Sequence, residues 1–181
     1  SGSYTLNGAT DVTGALSVGG GGSSLTMAGF SLSAASVNVG SGGLLIMTAG
    51  SDFLDVAGNV TMGGGDHTGR LTNGVMQVGG NFTQTSAGSP LSFAASGSHQ
   101  VSLVGPTSTI NFQSPGTTAS RFQNLTITGG VSASLATRTV VAGNVSLSGA
   151  LTLGGRTLEV GGNLSLSNPG TVSMTNALDS V

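Results

Sequence analysis

The sequence has no cysteine, no lysine and no tryptophan, four basic residues in all, and only 6% charged residues. Without cysteine there is neither a disulfide nor a thiolate metal site. Without lysine there is no isopeptide staple within the chain and no lysine-mediated link between subunits, so any assembly must rest on hydrogen bonds and apolar contact. The four arginines, Arg70, Arg121, Arg138 and Arg156, and a net charge of −2 cannot neutralise a phosphate backbone, and no nucleic-acid partner is expected. The longest apolar run, Leu44-Leu-Ile-Met47, is far short of the roughly eighteen residues a spanning helix needs, so membrane insertion is not expected either. No charged segment leads into an apolar one, and any secretion signal is expected to lie outside this chain.

What is present is a repeat. Val141-Ala-Gly-Asn-Val-Ser-Leu147 returns as Val160-Gly-Gly-Asn-Leu-Ser-Leu166, and earlier as Val56-Ala-Gly-Asn-Val-Thr-Met62 and Val78-Gly-Gly-Asn-Phe-Thr-Gln84, with Phe122-Gln-Asn-Leu-Thr-Ile127 as a trimmed copy. The marker residues Asn38, Asn59, Asn81, Asn124, Asn144 and Asn163 are spaced by 21, 22, 43, 20 and 19 residues, and the spacing of 43 is read as two periods with one marker lost. A period near twenty indicates a solenoid, a propeller or an array.

Between markers, Val145-Ser-Leu147, Leu151-Thr-Leu153 and Leu158-Glu-Val160 are separated by glycine-containing corners, which gives three short strands per coil. Apolar and small polar residues alternate within each, and this sends one set inward and the other outward on a pleated strand. Aligning the coils gives three inward columns. The first holds Leu16/Val18, Val37/Val39, Val60/Met62, Phe82, Leu125/Ile127, Val145/Leu147 and Leu164/Leu166. The second holds Leu25/Met27, Leu44/Ile46, Leu91/Phe93, Leu151/Leu153 and Val172/Met174. The third holds Phe30/Leu32, Leu54/Val56, Val101/Leu103, Leu158/Val160 and Leu178. The expected fold is all-β: one right-handed, roughly triangular parallel β-solenoid, or β-helix, over residues 1–181, with about eight or nine coils of roughly 20 residues. A propeller needs about 40 residues per blade. A β-sandwich also accommodates short strands every 8–12 residues, but the column alignment favours the solenoid. The period loosens over 85–121, where Pro90, Pro106 and Pro115 fall beside Phe93 and Phe112, so longer coils around a wider core are expected there, with room for a binding loop.

Ser96-Gly-Ser-His-Gln-Val-Ser-Leu-Val104, Ser120-Arg-Phe-Gln-Asn-Leu-Thr-Ile127, Val140-Val-Ala-Gly-Asn-Val-Ser-Leu147 and Leu153-Gly-Gly-Arg-Thr-Leu-Glu-Val-Gly-Gly162 resemble the repeat of very long secreted bacterial surface proteins. These are the filamentous-haemagglutinin-like adhesins, autotransporter passengers and related repetitive exoproteins. The resemblance covers the last half of the chain through its motifs and the first half through its period. It implies an extracellular, structural or adhesive role and brings no catalytic residues with it.

Few residues could carry chemistry. Asp52 and Asp55 are a sequence-close carboxylate pair of the kind glycoside hydrolysis uses, but no second cluster of acid and arginine stands one period away. Gly63-Gly-Gly-Asp66-His67 looks like a single copy of a nonapeptide calcium repeat, and one copy cannot make the site. His67 and His99 have no third histidine or cysteine to complete a ligand set. No enzyme activity, cofactor or metal is therefore expected. Asn59, Asn81, Asn124, Asn144 and Asn163 all begin Asn-X-Ser/Thr triplets, which the period explains as one repeated corner whose amides stack from coil to coil. Thr83/Thr85, Thr126/Thr128, Ser146/Ser148 and Ser165/Ser167 are expected to form an outward lattice, about 7 Å along the strand and ~4.8 Å between coils, similar to the threonine face of ice-binding solenoids.

The ends carry most of the functional expectation. Tyr4 and Leu6 at one end, and Leu178 and Val181 at the other, fall in strand-like stretches with no capping helix, and unpaired strand edges invite further strands. The chain is expected to be a subunit or repeat segment of a secreted bacterial filament or surface adhesin, joined head to tail to itself or to more of the same polypeptide. The alternatives are a free-standing module that binds surface glycans and an ice-binding solenoid.

Overall fold

The computed structural model describes residues 2–181. They form nineteen short strands, numbered β1–β19 in chain order, with no helix among the described residues. Every strand pairing is parallel, and strands pair with the equivalent strands of neighbouring coils, as a β-solenoid requires. About eight coils stack, each crossing three faces in the same order.

The first face begins with β1 (Ser3–Thr5), β3 (Ser24–Thr26) and β5 (Leu44–Ile46). It continues through isolated bridges at Met47–Leu71, Ala94–Arg121 and Phe122–Val141 to β14 (Thr139–Val141) and β17 (Leu158–Val160). The second face holds the leading halves of β2 (Thr10–Val18) and β4 (Ser31–Val39), then β6 (Phe53–Val56), β8 (Val75–Val78), β10 (Gln100–Leu103), β12 (Asn124–Ile127), β15 (Val145–Leu147) and β18 (Leu164–Leu166). The third face holds the trailing halves of β2 and β4, then β7 (Val60–Met62), β9 (Phe82–Gln84), β11 (Thr107–Phe112), β13 (Ser132–Leu135), β16 (Ala150–Thr152) and β19 (Thr171–Ser173). In the first two coils β2 and β4 run unbroken round the corner between these faces. β4 therefore pairs with β6 through Ser31–Ala34 and with β7 through Val37–Val39.

The register makes the core. Leu32, Leu54, Met76, Val101, Leu125, Val145 and Leu164 stack on the second face, two residues ahead of Ala34, Val56, Val78, Leu103, Ile127, Leu147 and Leu166. On the third face Leu16, Val37, Val60, Phe82, Ile110 and Leu135 form the corresponding column. Side-chain alternation at period two aims every one of these residues at the axis.

Two column assignments made from the sequence need correction. The expected first column mixes faces: Leu16/Val18 through Phe82 lie on the third face, whereas Leu125/Ile127, Val145/Leu147 and Leu164/Leu166 lie on the second, and the other two columns change face in step. The Gly-Asn marker sits at the corner between second and third faces in the early coils and at the corner between first and second faces in the late ones, so following the marker follows the wrong corner. The second error is one of phase. Leu45 and Met47 are fully buried, while Leu44 and Ile46 are half-exposed on the outside, because β5 is held in register by Leu25 opposite Leu45. A run of four apolar residues carries no phase of its own.

The coils lengthen in the middle. The step from Asn81 to its partner on the next coil, Thr109, is 28 residues, against 22 from Asn59 to Asn81. The extra width is filled by Phe82, Phe93, Phe112 and Phe122, all buried, with ring centroids 4.7–6.4 Å apart and mostly tilted or edge-on arrangements. Gln84 also points inward here, in the column that Val39 and Met62 occupy below it. Its amide is satisfied: Nε2 donates to Ser92 Oγ and to the Thr85 carbonyl, both at 2.8 Å, and Oε1 accepts the Ser114 N–H at 3.0 Å.

Candidate functional site: asparagine corners and open strand edges

The asparagines form hydrogen-bonded ladders, as the repeated corner implies, but there are two. On the corner between second and third faces, Asn59 Oδ1 accepts the Asn81 N–H at 2.8 Å and Asn81 Oδ1 accepts the Thr109 N–H at 2.9 Å. On the corner between first and second faces, Asn124 Oδ1 accepts the Asn144 N–H at 3.0 Å and Asn144 Oδ1 accepts the Asn163 N–H at 2.9 Å. The spacing of 43 residues from Asn81 to Asn124 is thus a change of corner, not a lost marker. Glycines let the corners stack closely: a Cβ added at Gly79 or Gly161 would collide with the carbonyl of Ala57 or Ala142 in the coil below.

The ionisable residues are placed as corner pieces. Asp52 is buried, its Oδ1 accepting the Gly29 N–H at 2.6 Å and its Oδ2 the Ala49 N–H at 2.9 Å, so it clamps its own turn to the coil before. Asp55 lies on the outer surface of β6, in register with Ser33, whose hydroxyl donates to Asp11 at 2.6 Å. The two carboxylates therefore do not converge. Asp66 accepts the Thr68 N–H at 2.7 Å, and its hydrogen bonds with Thr68 hold it below the usual carboxylate range. No group of three or more His, Asp or Glu side chains comes together among the described residues.

The two histidines are both buried but differ in kind. His67 Nε2 accepts the Leu45 N–H at 3.1 Å and Nδ1 donates to the Gly65 carbonyl at 2.9 Å, assigning the tautomer. His99 packs its ring edge-on against Phe93, 5.8 Å between centroids, and neither of its nitrogens has a partner. Burial pushes both imidazoles down to about 4, against an ordinary value near 6.5.

The hydroxyl lattice is also divided. Thr83 lies on the third face between Thr61 and Asn111, whereas Thr126, Ser146 and Ser165 stack on the second. The second row is turned inward on itself: Thr128, Ser148 and Ser167 donate to the carbonyls of Leu103, Ile127 and Leu147 in the coil below. The continuous second-face rows of paired hydroxyls are therefore three coils long.

The strand edges at the two ends are open. β18 and β19 each pair on one side only, and the residues that continue the inward columns are bare: Leu166 is 51% exposed, Met174 52% and Val181 54%; Leu178, 74% exposed, lies in the turn before Ser180. At the other end β1 and β2 have one neighbour each, Tyr4 is 65% exposed, and Leu16 and Val12 are half-buried; Leu6, by contrast, is covered. The sequence columns put Leu166, Met174 and Leu178 in the core; Leu166 and Met174 lie at its uncovered end, and Leu178 lies in a turn and not on a third strand. The alternation that identifies an inward position does not reveal whether another coil lies above it.

Against family models, characterised proteins and solved structures, the chain matches none.

Proposed function

We propose, from the architecture of a repeat β-solenoid with two open ends, that the chain is a structural subunit or repeat segment of a secreted bacterial filament or surface adhesin, extended coil on coil along its axis. The observation that carries this reading is the pairing of one-sided strands with uncovered inward side chains at β18 and β19. A parallel edge with Leu166 and Met174 bare is complementary to another edge of the same period and to little else. The covering coil comes from a neighbouring copy or from further polypeptide of the same repeat. Contacts of this kind are heterologous and do not close, so they propagate as a fibre. The sparse charge and absence of lysine leave backbone hydrogen bonds and apolar stacking as the joining chemistry.

Electron microscopy with sedimentation velocity tests it. Unbranched fibres, with an axial repeat near the ~40 Å that eight coils at ~4.8 Å occupy, are expected. Fibre formation should be lost in Leu166→Asp or Met174→Asp. A wild-type chain that stays monodisperse at high concentration refutes the reading. A second reading, a free-standing module that binds surface glycans, is favoured by the row Asp11, Ser33 and Asp55 beside the half-exposed Phe53 on the outer second face. Saturable binding on a glycan array, abolished in Asp55→Ala without fibre formation, would select it.

A further inference from the structure

The outer side of the second face changes character along the stack. One outward column runs Asp11, Ser33, Asp55, Gln77, Ser102 and Thr126 in register. The later coils fill it with neutral residues, so stacking itself needs no charge at this position. The carboxylates of Asp11 and Asp55 are an addition to the repeat, and they stand two coil spacings apart, about 10 Å. Asp11 accepts the Ser33 hydroxyl at 2.6 Å, whereas the exposed Asp55 carboxylate has no hydrogen-bond partner among the described residues.

A second outward column lies two residues ahead on the same strands, about 7 Å away, and runs Ser31, Phe53 and Val75. The half-buried Phe53 ring stands in register with the small Ser31, and against it lies a hollow of about 420 Å³ lined by Asp11, Ser31, Ser33, Phe53 and Asp55. A second hollow, of about 340 Å³, is lined by the same Asp11, Ser33 and Asp55 with Ala35 and Ala57. The acids therefore form a ridge between two grooves, one of which has an aromatic wall.

Charge selects the occupant. All four arginines lie on or beside the first face, so no arginine on this face answers Asp11 or Asp55. An anionic ligand is repelled, and a neutral one leaves the carboxylates unanswered. A ligand ammonium pairs with the Asp55 carboxylate and is attracted also to the face of an aromatic ring such as Phe53. Shape narrows the choice further. A peptide strand adds to an open edge, whereas β4 and β6 are already paired on both sides. The groove instead crosses coils that recur every ~4.8 Å, about the length of one sugar ring in an extended chain.

We propose that the groove between Phe53 and the Asp11–Asp55 ridge binds a polysaccharide of amino sugars with free ammonium groups, its chain running along the stack at one sugar per coil. This rests on the glycan-binding reading above and names its ligand. Phe53 carries the apolar face of one ring, Asp55 takes an ammonium, and Gln77, one coil on, offers its amide to the hydroxyls. The groove is on the side of the rod, so it stays open whether or not coils are added at the ends.

Isothermal titration calorimetry on the whole chain, with hexamers of β-1,4-linked glucosamine, N-acetylglucosamine and galacturonate, tests it. The glucosamine hexamer binds, less tightly as ionic strength rises, and the other two bind roughly tenfold more weakly or not at all. Asp55→Asn and Phe53→Ala each weaken binding about fivefold, with the thermal transition of each variant confirming that it folds. Asp66→Asn makes the same change of charge at a distant corner and leaves binding unchanged. If the acetylated hexamer binds as tightly as the glucosamine hexamer, or Asp66→Asn weakens binding as much as Asp55→Asn, or a hexalysine peptide binds as tightly as the sugar, the amino-sugar groove is overturned while the glycan reading stands. If neither these hexamers nor any sugar on a glycan array binds, the glycan reading fails and this inference with it.

Discussion

His67 and His99 offer a test in which the same substitution has opposite signs. Both rings are fully buried and both are neutral at pH 7 because burial disfavours the charged form. Leucine is close to histidine in volume, so His→Leu changes polarity more than packing. At His99 the change removes two nitrogens that have no hydrogen-bond partner, in a site lined by Phe93. An unsatisfied buried polar group costs about 1–3 kcal/mol, so His99→Leu should raise stability by about 1–2 kcal/mol after the lost ring contact is allowed for. At His67 the change strands the Leu45 N–H and removes a donor from the Gly65 carbonyl, and stability should fall by about 2–4 kcal/mol.

The pH dependence follows from the same burial. Each imidazole titrates at about 4 when folded and near 6.5 when unfolded, so between those values the unfolded chain binds more protons and acid favours unfolding. The contribution is fully present above pH 6.5, is lost as pH falls toward 4, and is flat below. A shift of this size is worth about 3 kcal/mol per histidine. Urea unfolding at pH 7.5 and pH 4.5 should therefore show a large stability loss in wild type and about half that loss in His99→Leu. A His99→Leu variant that is less stable than wild type at pH 7.5, or that keeps the full acid sensitivity, refutes the reasoning.

Other substitutions probe the repeat itself. Asn144→Ala removes the acceptor for the Asn163 N–H at a solvent-facing corner and should cost about 1 kcal/mol in denaturant midpoint analysis, with Asn59→Ala, on the other ladder, costing about the same. Phe122→Ala opens a cavity among four interlocked rings and should cost about 3–5 kcal/mol, read by calorimetry. Leu147→Asp should prevent folding, because it buries an unpaired charge in a core closed on both sides by neighbouring coils, as loss of the far-ultraviolet β signal would show.

Several features were decided within a few residues of sequence. Alternation in Val145-Ser-Leu147 or Leu151-Thr-Leu153 dictates a strand with one inward side, and a Gly-Asn corner every twenty residues dictates a coil, because both depend on local sterics and on a period set by the pleat. The parallel solenoid, its approximate number of coils and the stacked asparagines were legible for that reason. The face on which a strand lies was not. It depends on how many residues each corner consumes and on which strand of the next coil is met, and these are properties of pairing across the stack. Thus the marker changed corners between Asn81 and Asn124 without any local sign, and Leu45, not Leu44, turned inward because Leu25 lies opposite. Gln84 could enter the core only because Ser92 and Ser114, eight and thirty residues away, complete its hydrogen bonds. The same nonlocality separates the histidines: two residues of one type, each beside glycine and serine or threonine in sequence, become a satisfied corner ligand in one place and an unpartnered ring in the other, since a backbone N–H from the preceding coil reaches only His67. Whether an inward leucine is core or open end is a question of what lies one coil above it, and for Leu166 and Met174 the stack provides no such coil.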